Sequence, residues 1–153
     1  MIDREQNPEF INSFLDYSIT ILNKSPNSVK EYNYDLVNFF KFMADRFELT
    51  DIKSFLTNES DFTQIDIKDF PLEKVKDIKL DDIHSFIAYL ATNLKSKAAT
   101  RARKISTIRI FFNYLTNKAH ILEINPAQTL ETPKQDKRIP KYLSLDDSKK
   151  LLN

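Results

Sequence analysis

The sequence predicts an all-α domain of four to five helices, and three observations carry that expectation. Apolar residues recur at the spacing of an amphipathic helix in four separate stretches. Between the stretches stand helix stop and start signals. The 153 residues are 41 % apolar and 12 % aromatic, enough for one buried core.

The first helix runs from Pro8 to Leu22 on Phe10, Ile11, Phe14, Leu15, Ile21 and Leu22, and stops at Asn23-Lys24. Ser25-Pro26 restarts the chain, with Ser as N-cap and Pro at the first helical position. The second helix reaches about Phe47 on the stripe Val29, Tyr32, Leu36, Phe39, Phe40, Met43 and Phe47. Its other side carries Asn27, Lys30, Tyr34 and Lys41, a pattern that also fits ordinary surface. The third helix spans Leu80–Leu94 on Ile83, Phe86, Ile87, Leu90 and Leu94, with Asp81 and Asp82 at its positive N-terminal end and His84 on its surface.

Between the second and third helices lies an irregular, acidic connection at about 48–79. Asp51–Leu56 fits a short turn, while QIDIKDF and VKDIKL alternate like short strands. It joins two helical hairpins, and its charge points it away from any anionic partner.

The fourth helix, Lys95–Leu115 and ending near Lys118, carries six basic residues and no acidic one. Ser96 is placed to cap its start. A core-facing stripe falls on Ala98, Ala102, Ile105, Ile108, Phe112 and Leu115. Thr100, Arg103 and Thr107 fall on the opposite side, whereas Arg101 and Lys104 lie nearer the stripe, where their stems can pack and their heads snorkel outward. Residues 1–94 hold 10 Lys and Arg against 17 Asp and Glu, a net of −7; residues 95–153 hold 13 against 5, a net of +8. Such asymmetry points to an anionic partner, and a helix of this width fits the major groove of DNA. A merely solvated cationic face would carry the same pattern.

Beyond that helix, Ile121, Leu122 and Ile124 are expected to fold back on the core, and Asn125-Pro126 to turn the chain. Residues 131–143, with two prolines and no periodicity, read as a linker. Ser144–Asp147 is a capping signature opening a helix that the chain leaves within about two turns, the expected start of a further domain.

Composition excludes several classes. Glycine is absent, where average usage near 7 % would give about eleven, so the P-loop, the dinucleotide fingerprint and the G-x-S-x-G elbow are ruled out. Left-handed helix ends must then fall to Asn, and Asn23, Asn117 and Asn125 stand where helices finish. There is no cysteine, and His84 and His120 are too few and too far apart for a zinc site. No membrane span or signal peptide is visible, so a cytoplasmic location is expected.

Three segments together carry a resemblance. Ser25-x-x-Ser28-x-x-x-Tyr32-x-x-Asp35-Leu36 resembles the opening hairpin of tyrosine recombinases of the Xer and phage-integrase type. Thr100 to Phe111, continuing to Tyr114-Leu115, resembles their "aRklSalRsFfkyL" helix. Asn125-Pro126-Ala127, Thr132-Pro133-Lys134 and Ile139–Ser144 resemble the "NPa…tPK…lPkyLs" segment that leads into their catalytic domain. The 48–79 connection departs from shorter members of the family.

The resemblance implies a SAM-like core-binding domain, two crossed helical hairpins over residues 1–130, followed by the linker 131–143 and the truncated start of a catalytic domain at 144–153. It implies binding of double-stranded DNA through the second and fourth helices, with other recombinase protomers as partners in the full-length protein. No catalytic residue is expected in this fragment, because strand cleavage and rejoining by a nucleophilic tyrosine belong to the second domain. Nor is a metal or small-molecule cofactor expected.

Within that reading Lys30, Lys95, Lys97, Arg101, Lys104 and Arg109 are placed as phosphate contacts, and Arg103, flanked by Thr100 and Thr107, as the arginine able to reach base edges. Asn27 and Tyr34 complete the DNA-facing set. Two other functions fit the same helix: a stand-alone DNA-binding regulator, and a helical module that meets an acidic protein partner.

Overall fold

A computed structural model of the chain describes residues 4–49 and 65–134. Within them lie five α-helices and no strand: α1 (Glu9–Thr20), α2 (Pro26–Arg46), α3 (Leu72–Lys76), α4 (Leu80–Thr92) and α5 (Ala98–Asn113). A π-helical turn, Tyr114–Lys118, continues α5. The third and fourth helices expected from the sequence are α4 and α5. The turn expected at Asp51–Leu56, the linker beyond Lys134 and the capped start at Ser144 lie outside the described residues.

Local chemistry sets most helix ends. Ser25 Oγ accepts from the Ser28 backbone N–H at 3.2 Å, and Pro26 occupies the first helical position of α2. The Asp82 carboxylate accepts from the Lys79 N–H at 2.8 Å, satisfying a donor that α4 leaves unpaired. Arg46 bonds the same carboxylate at 2.7 Å and ties the end of α2 to the start of α4.

Ser96 does not cap α5. Lys97 stands at the N-cap, and both the N–H and the Oγ of Ser96 reach back to the Leu90 carbonyl, at 3.0 and 2.9 Å. Ser96 therefore closes α4. The reversal is made by Lys95, whose φ of 53° is left-handed.

Without glycine, four other residues take that conformation among the described residues: Asn23, Glu48, Lys95 and His120. Only Asn23 matches expectation; Asn117 lies in the π-helical turn, and Asn125 caps a turn by accepting from the Ala127 N–H at 2.8 Å. After three of the four, the next N–H bonds a carbonyl six residues back: Lys24 to Ser18, Ser96 to Leu90 and Ile121 to Leu115. The position is chosen by these closures, which is why residue type predicts it poorly.

The alternating segments do not become strands. VKDIKL overlaps the short helix α3, while Ile65, Ile67, Phe70, Val75 and Ile78 all bury their side chains. Alternation there sends apolar residues inward, with no strand among the described residues to pair with.

α1 and α2 form one hairpin and α4 and α5 the other, and α2 packs against both helices of the second. The core between them is aromatic. Phe40 meets Phe10 at 5.1 Å and Phe111 at 5.7 Å, Phe39 meets Phe86 at 5.2 Å, and Phe14 meets Phe111 at 5.3 Å, mostly edge to face. The predicted stripe members Ile83, Phe86, Leu90, Ile105, Ile108, Phe112 and Leu115 are buried. Ile21 and Leu94, also expected on stripes, are 66 % and 54 % exposed, each lying just past the end of its helix, and Ile124, expected to fold back, is 79 % exposed although Leu122 beside it is buried.

Candidate nucleic-acid interface

α5 is rotated from its expected setting. Its buried arc runs through Lys104, Ile105, Thr107, Ile108, Phe111, Phe112 and Leu115, leaving Ala99, Arg103, Ser106 and Asn113 outermost. Phe111, which the predicted stripe missed, is fully buried. Thr107, placed by the sequence on the outward side, is 2 % exposed.

The cause is Asp35. This carboxylate sits on α2 four residues before Phe39 and seven before Phe42, on a face that is buried along its length. A buried charge needs partners, and α5 supplies three. Lys104 Nζ reaches Oδ1 at 2.9 Å, Arg103 Nη1 reaches Oδ2 at 2.7 Å, and the Thr107 hydroxyl donates to Oδ2 at 2.9 Å. Arg103 Nη1 also pairs with Glu31 at 2.9 Å, one turn earlier on α2. Lys104 Nζ lies 5.0 Å from the centre of the exposed Tyr34 ring, a cation–π contact. Two acids and two bases thus cancel at the α2–α5 contact.

Lys104, expected as a snorkelling phosphate contact, is instead an interior cation. Thr107 is a structural donor and not an outward group. Neither Asp35 nor Glu31 was singled out from the sequence as a site residue. The available signal was an acid set at i, i+4, i+7 with two phenylalanines, which marks a carboxylate turned inward.

Two other arginines turn onto their own chain. Arg101 Nη1 donates to the Ser96 carbonyl. Arg109 donates to the Leu130 carbonyl from Nε at 2.9 Å and also from Nη2, and to Thr132 Oγ1 from Nη1 at 3.0 Å. Thr100 is half-buried. Asn27, Lys30, Tyr34, Lys95 and Lys97 are exposed, and among the described residues no ion pair holds Lys30, Lys95 or Lys97.

The Tyr114 hydroxyl is pushed above the ordinary phenol value by burial, then by the Asp16 charge and Tyr17, the opposite direction from an activated nucleophile. Among the described residues no group of three His, Cys, Asp or Glu could hold a metal, and no helix is long and apolar enough to cross a membrane.

Comparison with known proteins gives a consistent result. The family described as "Phage integrase, N-terminal SAM-like domain" matches residues 11–119. The tyrosine recombinase XerC of Caldanaerobacter subterraneus is 36 % identical over 146 residues, 95 % of this chain and 40 % of the relative. XerD of Listeria monocytogenes is 31 % identical over 145 residues, again 95 % and 40 %, and XerD of Rickettsia bellii 29 % over 144, or 94 % and 38 %. The chain spans about two fifths of the length of these curated relatives. No solved structure matches it.

Proposed function

The chain belongs to the phage integrase N-terminal SAM-like domain family, and on that premise we propose that it grips double-stranded DNA for a site-specific tyrosine recombinase of the Xer kind. In this reading residues 1–130 bind DNA and 131–143 lead to a catalytic domain that opens near Ser144. Cleavage and rejoining take place in that domain, and other protomers on the same cytoplasmic DNA complete the assembly.

The observation that carries the reading is what remains after pairing inside the chain is complete. Lys30 stands beside Glu31 on α2, and Lys97 opens α5 about 9 Å of helical rise before Arg103. With Lys95, in the turn that precedes α5, they are exposed cations that no ion pair holds among the described residues. These three are the phosphate contacts. Arg103 reaches a base edge, with Thr100, Asn27 and Tyr34 around it. Lys104, Thr107, Arg101 and Arg109 support that surface from within their own chain contacts.

Each phosphate contact releases counterions, so log affinity falls with log salt by about 0.9 per contact. Three contacts give a slope of about −2.7 for the fragment on a random-sequence duplex. Affinity that does not change between about 50 and 200 mM salt overturns the proposal.

A further inference from the structure

Arg103 is held twice, by two carboxylates of different standing. Asp35 has a side chain only 1 % exposed, and its charge is already matched by Lys104 with a further bond from Thr107. Glu31 has a side chain 57 % exposed and meets Arg103 Nη1 at 2.9 Å. A pair that open to water contributes little to stability. What Glu31 does is cancel the cation that α5 presents outward, between the small or uncharged residues Ala99, Ser106 and Asn113.

Both carboxylates take Nη1, which leaves the Nε–Nη2 edge of the guanidinium for a ligand. A planar fork steadied from one side suits the paired acceptors O6 and N7 of guanine. It suits a phosphate by shape as well. A phosphate, however, arrives with a full negative charge next to Glu31, whereas a base edge is neutral.

We propose that Glu31 is a specificity-determining residue that suppresses phosphate binding at Arg103 and so reserves this arginine for a base edge. The inference rests on the DNA-binding reading above.

The test compares the wild-type chain with Glu31→Gln, which keeps an acceptor for Arg103 but loses the charge. The probes are a random-sequence duplex and sites enriched by the wild-type chain from a randomised pool. Glu31→Gln should bind the random duplex more tightly, with a salt slope steeper by about 0.9, an added loss of about 3.5-fold between 50 and 200 mM. Its preference for the enriched sites should fall.

Glu48→Gln is the control, since it removes the same charge past the far end of α2, whose rise from Glu31 to Arg46 alone is about 22 Å, well beyond the Debye length. Equal or weaker binding of Glu31→Gln to the random duplex overturns the inference, as does an equal gain from Glu48→Gln. A collapse of the melting temperature in Glu31→Gln also overturns it, because the residue would then be structural. If the wild-type chain itself shows no salt-dependent binding, the DNA-binding reading falls and takes this one with it. If the wild type binds and Glu31→Gln matches it, only this inference falls.

Discussion

Lys104 and Asp35 meet inside the α2–α5 contact, Nζ to Oδ1 at 2.9 Å, with side chains 10 % and 1 % exposed. A buried pair is weak evidence of net stabilisation, but breaking one strands a charge in low dielectric. Asp35→Ala should therefore cost about 3–5 kcal/mol, by far the largest loss among substitutions at the site. Arg103→Ala should cost roughly 1 kcal/mol or less, since Asp35 keeps Lys104 and Thr107 and the Glu31 pair is exposed. Urea denaturation of both variants checks the ranking, which a milder Asp35→Ala would contradict.

Two basic residues that look alike in sequence should separate by their salt dependence. Lys97 is exposed and unpaired among the described residues, so Lys97→Ala should make the slope of duplex binding shallower by about 0.9. Arg109 spends its guanidinium on Leu130 and Thr132, so Arg109→Ala should leave the slope within error of wild type. A slope change of similar size in both would show that Arg109 leaves those partners on DNA.

Arg109 has a different expected effect. Its bonds fasten the segment after the turn at Asn125-Pro126 onto α5. Hydrogen bonds from a charged donor are worth about 1.5–3 kcal/mol, so Arg109→Ala should speed amide exchange at Leu130, Glu131, Thr132 and Lys134. Unchanged exchange there would mean that the buried side chains of Ala127 and Leu130 hold the segment alone.

His120 is left-handed, with φ 56°, immediately before the Ile121 N–H closes on Leu115. A residue with a Cβ loses about 1–2 kcal/mol in that conformation, and glycine gives back about 0.5–1 kcal/mol through the freedom of the unfolded chain. His120→Gly should thus stabilise by about 0.5–1 kcal/mol, raising the melting temperature by about 1–4 °C. Calorimetry decides it, and a lower melting temperature would show that the imidazole does more than occupy the turn.

Much of the architecture follows from near neighbours, and that part was legible in the residues themselves. Ser25-Pro26 opens α2 because a hydroxyl and a locked φ act within one turn. Asp82 opens α4 by a bond spanning three residues. The apolar periodicity of α1, α2 and α4 identifies the buried faces within the helices, as at Phe10, Ile11, Phe14 and Leu15, but not past their ends, where Ile21 is exposed. The lack of glycine removed whole classes of phosphate-binding loop, and the charge asymmetry of the chain is a property of its composition alone.

The setting of α5 was decided elsewhere. A helical projection ranks Lys104 and Thr107 by what water prefers, and so turns them outward. Their partner Asp35 lies 69 and 72 positions earlier in the chain, buried on a helix that meets α5 only once both hairpins have packed. An ionised carboxylate in the interior makes an ammonium and a hydroxyl favourable neighbours where an apolar side chain would leave it unpaired. Burial of polar groups depends on such distant partners, so only the tertiary structure could say which cations of this basic helix are spent inside the protein and which remain for a ligand.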